Sequence, residues 1–232
     1  MAKQNDRLEV NVVTPRGVAI YPKLNKPDTK FDADGVYETK LKFDPDATDG
    51  VIGKKTSTWA DIKAAVDANQ AEFLAQKKAE LAKGDGKAKN KAKSIESVEW
   101  GVEPDVNDEG EETGLVVVKA KMKASGTSKK DGSKWERKPR LFDAKGKPMS
   151  GDKAIWGGST LKVAGKVVPY YNAKDNVVGS TFYLEGVQVI DLVSGGGRDA
   201  GSMGFGEEDG YTEEETPFGV EDSGDDGDDG NF

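Results

Sequence analysis

The 232 residues carry 42 acids, 34 bases, no His and no Cys, with apolar residues at 35% and charged ones at 33%. That composition excludes disulfides, thiol nucleophiles, Cys/His zinc sites, catalytic triads and imidazole general bases, and so polar a chain is not expected to build a core along its whole length. The longest apolar run, Leu115-Val116-Val117-Val118, falls far short of the roughly 18–20 residues of a membrane span, and Met1–Arg7 lacks the apolar region of a signal peptide, so a soluble cytoplasmic protein without a membrane partner is expected.

Period-2 alternation dominates the first 194 residues and predicts strands. Leu8 to Val12 starts one, Thr14-Pro15-Arg16-Gly17 breaks it, and Val18 to Tyr21 resumes it up to Pro22. Gly35 to Phe43 is a second, ended by Asp44-Pro45. Helical spacing of Trp59, Ile62, Val66, Phe73 and Leu74 then predicts a helix over 58–83, with Thr58 as N-cap, Gly84 as stop and its apolar stripe packed on the sheet. The stretch 83–93, with five lysines, reads as a solvated loop, with a phosphate-tracking role as the alternative. Leu115 to Ala124 is a third strand, Lys134 to Phe142 a fourth with Pro139 at an edge or bulge, Thr160 to Tyr170 a fifth, and Val178 to Leu192 a sixth with Gly186 as its bulge. A mainly β domain over 1–194 follows: an OB-fold-like barrel of five to six strands with one inserted helix, a β-sandwich being the alternative.

Charge is divided along the chain. All 34 bases and 29 of the 42 acids lie in residues 1–198, a net of +5, while the remaining 13 acids follow Arg198 without a base among them. Charge acts locally, over a Debye length of about 8 Å at physiological salt, so the acidic total does not argue against a nucleic-acid partner. From Gly195 onward there are 11 glycines in 38 residues, with no Leu, no Ile and one Val; such a segment buries too little to offset its ordering entropy, and 195–232 is expected to be a disordered acidic tail. Its end places Asp225, Asp226, Asp228 and Asp229 before Phe232. An aromatic ring behind a run of carboxylates suits a docking peptide that also competes for the basic groove of the body.

Single strands are held by cations along a groove and by exposed rings on which bases stack. Alternation puts Lys119, Lys121 and Lys123 on one face of the third strand, and Lys162, Lys166 and Tyr170 opposite Leu161, Val163 and Val167 on the fifth. Around the fourth lie Lys134, Trp135, Arg137 and Arg140, in a stretch whose bases far outnumber its two acids, Asp131 and Glu136. Lys119, Lys121, Lys123, Lys134, Trp135, Arg137, Arg140, Lys162, Lys166 and Tyr170 are the expected residues for binding single-stranded nucleic acid, with little base preference because stacking tolerates every base. Tyr37, Phe43, Phe182 and Tyr183 are expected in the core, and Trp156 half-buried. No catalytic, metal or cofactor site is expected: the acids from Glu103 to Glu112 read as a hairpin loop, and Gly157-Gly158-Ser159 lacks the ending and following helix of a phosphate loop.

Several stretches resemble the single-stranded DNA-binding proteins of lytic DNA phages, an OB-fold family with an acidic tail ending in Phe. They are Gly35-Val36-Tyr37, the helix at 58–83, Phe142-Asp143-Ala144-Lys145-Gly146-Lys147-Pro148-Met149, Ile155-Trp156-Gly157-Gly158-Ser159-Thr160-Leu161-Lys162-Val163, Val168-Pro169-Tyr170, Leu184 to Leu192, and the closing Asp-Gly-Asn-Phe. The resemblance implies a non-enzymatic protein of the infected host's cytoplasm that acts in DNA replication, recombination and repair. It would coat strands, remove secondary structure and promote annealing. It also implies tail contacts to the phage polymerase and helicase–primase, and a homodimer. An RNA-binding or chaperone-like OB protein is the alternative, and a metal-dependent nuclease a weaker one.

Overall fold

The computed structural model describes residues 8–193, so the expected tail, with Asp225, Asp226, Asp228, Asp229 and Phe232, lies outside the described residues. In chain order the elements are β1 (Val10–Val13), β2 (Gly17–Asp28), β3 (Val36–Phe43), β4 (Gly50–Ile52), β5 (Lys55–Ser57), α1 (Trp59–Ala82), α2 (Gly86–Ser94), β6 (Glu96–Ser97), β7 (Val102–Val106), β8 (Glu112–Lys123), β9 (Ser125–Thr127), β10 (Lys134–Glu136), β11 (Arg140–Phe142), β12 (Thr160–Asn172) and β13 (Val177–Asp191).

Five of these strands close into a ring, β2-β3-β8-β13-β12 and back to β2. Its pairs are antiparallel except β13 with β8, where Tyr183 lies opposite Lys121. A small closed barrel of this kind is OB-fold-like architecture, as the alternation implied. Alternation also sets its inside. On β3, Tyr37, Thr39, Leu41 and Phe43 are buried; on β8, Val118, Ala120 and Met122; on β12, Leu161, Val163 and Val167. The break at Thr14–Arg16 has a structural use. Thr14 is buried, its hydroxyl accepts from the Val163 amide, and its own amide donates to the Val163 carbonyl. β1 then runs along one part of β12, and β2 reaches the start of the same strand to close the ring.

α1 matches the expected helix. Thr58 accepts from the Asp61 amide while Asp61 accepts from the Thr58 amide, a reciprocal cap whose loss costs about 1 kcal/mol. Trp59, Ile62, Val66 and Gln70 form its buried stripe. Trp59 meets Phe43 edge-on at 5.0 Å and Trp100 at 5.7 Å, and Gln70 bonds Ser97, the Val98 carbonyl and Ser180.

Three local readings change. The lysine-rich stretch is a helix, α2, because Asp85 caps it by accepting from the Ala88 amide. The stretch 134–142 is two short strands in different sheets: β10 pairs β9, and β11 pairs β13 in parallel. The bulge on β13 falls at Glu185, one residue from Gly186, where the register with β12 slips between Ala164 and Gly165. Gly165 permits it, since a Cβ there would sit 1.9 Å from the Tyr183 carbonyl oxygen.

Candidate nucleic-acid interface

Register brings several expected residues together on the outside of the barrel. Lys166 lies opposite Tyr183, Tyr183 opposite Lys121, Lys121 opposite Glu38, and Glu38 opposite Lys23. Tyr183 is 47% exposed and not in the core, which corrects its expected place. It lines a groove of about 750 Å³ with Arg137, Lys166, Val168 and Met122, to which Glu9 and Glu185 also contribute.

Many lysines of this wall carry a carboxylate of their own. Lys119 pairs with Glu38 at 2.7 Å, Lys123 with Asp32 at 3.1 Å, and Lys166 with Glu9 at 2.7 Å. The hydrogen bonds that Lys123 donates to Asp32 and Lys166 to Glu9 raise the pKa of each ammonium. Lys162 is 17% exposed; its ammonium donates to the Asp49 carbonyl and lies 3.0 Å from the Asp49 carboxylate. Partial burial pushes the Asp49 carboxyl up, but the bonds from Lys162 and Arg16 outweigh it and hold the group below the usual carboxylate range.

Trp135 is half-buried. Its ring lies on Gly126, where a Cβ would come within 2.5 Å, and the Arg137 guanidinium covers it at 4.4 Å. The Arg137 Nε donates to the Lys123 carbonyl, which ties this hairpin to the end of β8. Lys134 is exposed on the same hairpin. Tyr170 is 42% exposed, but its ring is laid across the strand on Gly179. Its neighbour Tyr171 turns the other way, under the Lys77 ammonium at 5.0 Å.

A second surface was not expected. Tyr21 is 84% and Trp156 46% exposed, and both line a groove of about 790 Å³ with Lys23, Lys26 and Asn25. Tyr21 has φ 47°, a left-handed conformation that costs of order 1 kcal/mol or more in a bulky residue and gathers at functional sites. It sits where the β2–β3 register slips between Ile20 and Lys23, so its ring leaves the sheet instead of packing. Trp156 is placed by its turn: its amide donates to the Val193 carbonyl, its carbonyl accepts from Ser159, and Ser159 accepts from Ala19.

Asn25 joins the two halves. Its amide nitrogen donates to the carbonyls of Gly151 and Lys153, and its oxygen accepts from the Ile155 amide. A neighbouring groove of about 570 Å³ shares Leu24, Asn25, Gly151 and Asp152 with the first and continues to Lys138, Arg140 and Phe142. The two grooves adjoin along that shared wall and together form a channel lined by the two rings, Lys138 and Arg140, and Arg137, the chain neighbour of Lys138, lines the Tyr183 groove. Among the described residues, Lys23, Lys26, Lys138 and Arg140 form no ion pair. Exposed rings beside uncompensated cations are what stacked bases and phosphates require.

The family described as the single-stranded DNA-binding protein of bacteriophage T7 matches residues 16–192. The chain belongs to this family. Its structure is similar to the crystal structure of gp2.5, a single-stranded DNA-binding protein encoded by bacteriophage T7, with a TM-score of 0.60 and 22% identity over 84% of this chain and 96% of that one. It is also similar to the single-stranded DNA-binding protein of bacteriophage Enc34 in complex with single-stranded DNA, with a TM-score of 0.48 and 15% identity over 81% of this chain and 89% of that one. Among the curated proteins, no sequence matches it. In this phage family member the matched span contains the whole channel and all of the Tyr183 groove except Leu8 and Glu9.

Proposed function

We propose that the protein binds single-stranded DNA without sequence preference during phage DNA replication, recombination and repair, as a binding protein and not a catalyst. One observation carries the reading: Tyr21, turned out of the sheet, and Trp156, held by its bonded turn, open on a channel whose lysines and arginine have no carboxylate partner among the described residues. Bases stack on the rings and phosphates meet Lys23, Lys26, Lys138 and Arg140. The strand continues past Arg137 toward Lys166, Lys121 and Tyr183. Trp135, Lys134, Lys119, Lys123, Lys162 and Tyr170 stand around this path, and the ion-paired ones contribute less. Coating a strand in this way removes hairpins and promotes annealing.

The tail over 195–232 supplies the regulation. Its 13 acids after Arg198 compete with DNA for the basic body, and a strand displaces them by mass action. The freed end, with Asp225, Asp226, Asp228, Asp229 and Phe232, then contacts the phage polymerase and helicase–primase in the host cytoplasm and supports a homodimer.

Titration with oligo-dT at several salt concentrations tests the binding. Tryptophan emission is expected to be quenched, with log K falling linearly against log salt; no quenching, or equal competition by RNA, would overturn the DNA reading. Deleting 207–232 is expected to tighten DNA binding at low salt and abolish polymerase contact, and unchanged affinity would remove the competition.

A further inference from the structure

α2 is a cationic element that the proposed single-strand path does not use. Its half-buried residues are Ala88, Lys91 and Ala92, which share one face at i, i+3 and i+4. The rest of its circumference is Gly86, Asn90 and Ser94 flanked by Lys87, Lys89 and Lys93, all exposed, with Lys83 and Lys174 exposed nearby. None of these five lysines forms an ion pair among the described residues. The acids around them are engaged or few. Asp85 caps the helix, Glu80 is held by Lys77, Asp175 accepts from Asn172, and Glu96 follows on β6.

The helix is also fixed in place. The Lys91 ammonium donates to the Ala173 carbonyl, and the Asn176 amide donates to the Lys91 carbonyl and the Ser94 hydroxyl. It is therefore anchored to the β12–β13 turn. The aromatic channel lies at the other end of β12, where Thr160 pairs with Val18. Thirteen residues of strand separate the two ends, about 40 Å at 3.3 Å per residue.

We propose that α2 is a second nucleic-acid site, which takes the phosphate backbone of duplex DNA. Its exposed face carries lysines and no ring, so it gains nothing from unstacked bases. A purely electrostatic surface favours the denser charge, and duplex DNA carries one charge per about 1.7 Å of axis. The protein then holds a single strand at one end of the β12–β13 ribbon and the flanking duplex at the other, as at a fork or a newly annealed junction.

The test uses the full chain, a fluorescein-labelled blunt duplex followed by anisotropy, and oligo-dT followed by tryptophan quenching. Replacing Lys87, Lys89 and Lys93 together by Gln is expected to flatten the duplex salt slope by roughly 3 and leave oligo-dT quenching unchanged. That unchanged quenching also reports an intact fold. Replacing the same three by Arg is expected to restore the slope. No duplex binding by the wild-type chain, an unchanged slope in the Gln variant, no recovery in the Arg variant, or an equal loss toward oligo-dT would each overturn the proposal. Duplex binding without oligo-dT quenching would instead sink the single-strand reading and leave α2 standing.

Discussion

The β8–β12 wall of the barrel and the channel beside it carry the same kinds of cation and differ in what those cations touch. On the wall, Lys119, Lys123, Lys162 and Lys166 each hold a carboxylate within 3.1 Å. In the channel, Lys138 and Arg140 hold none among the described residues, and the adjoining groove carries the exposed Tyr21 and the half-exposed Trp156. On the proposed path a phosphate would displace a carboxylate at those four lysines and none at Lys138 or Arg140. Composition counts the two surfaces alike, yet among the described residues Lys121 is the one lysine of β8 or β12 without an ion pair.

The largest effect is expected from the rings. Trp156→Ala and Tyr21→Ala should each weaken oligo-dT binding by about 1–3 kcal/mol, roughly five- to 150-fold, without altering the salt slope. Trp156→Phe should keep most of the affinity and lose most of the quenching, since Trp59 and Trp100 are buried and the half-buried Trp135 already lies under the Arg137 guanidinium. If both alanine variants bind as the parent does, the channel is not the path. Next come the free cations. Lys138→Gln and Arg140→Gln should each reduce the salt slope by about 1 and lower affinity for all sequences alike. The comparison breaks if Lys119→Gln or Lys162→Gln does the same, because a paired lysine should change affinity by no more than about threefold, near the small worth of an exposed ion pair.

The smallest effect concerns acid. The folded pKa of Asp49 is lowered. The stability this contributes is present above the unfolded carboxylate value, about 3.9, and is lost as pH falls through the lower folded one. Urea midpoints should therefore drop below about pH 4, and less so in Lys162→Gln, where the carboxyl returns toward its ordinary value. Between pH 6 and 9, DNA affinity should stay flat. The chain has no His or Cys, and Lys123 and Lys166 have their pKa raised, away from that window.

The barrel was legible because burial repeats every second residue, as the alternating exposure of β3 and β12 shows. α1 was legible from its stripe and cap. α2 was not, since a lysine run suppresses the hydropathy signal; the available clues were Asp85 as a cap and the Ala88/Ala92 spacing. Tyr183 follows the same alternation that buries Phe182, so its exposure could have been read from the strand. The ion partners of Lys162 and Lys166 come from residues 113 and 157 positions away, which no local window contains. Tyr21 fails for another reason: a bulge that turns one ring out of a strand leaves no periodic trace, and Pro22 was read as an end where β2 continues to Asp28.

Asn25 gives the channel a property that neither ring has alone. It belongs to the strand that bears Tyr21, and it holds by three bonds the loop that bears Trp156. The gauge between the two rings is thus set by the folded chain, so if they stack bases as proposed, less conformational freedom has to be surrendered on association. On that path a strand would fit its nucleotide step to the spacing, selected by backbone reach and not by base.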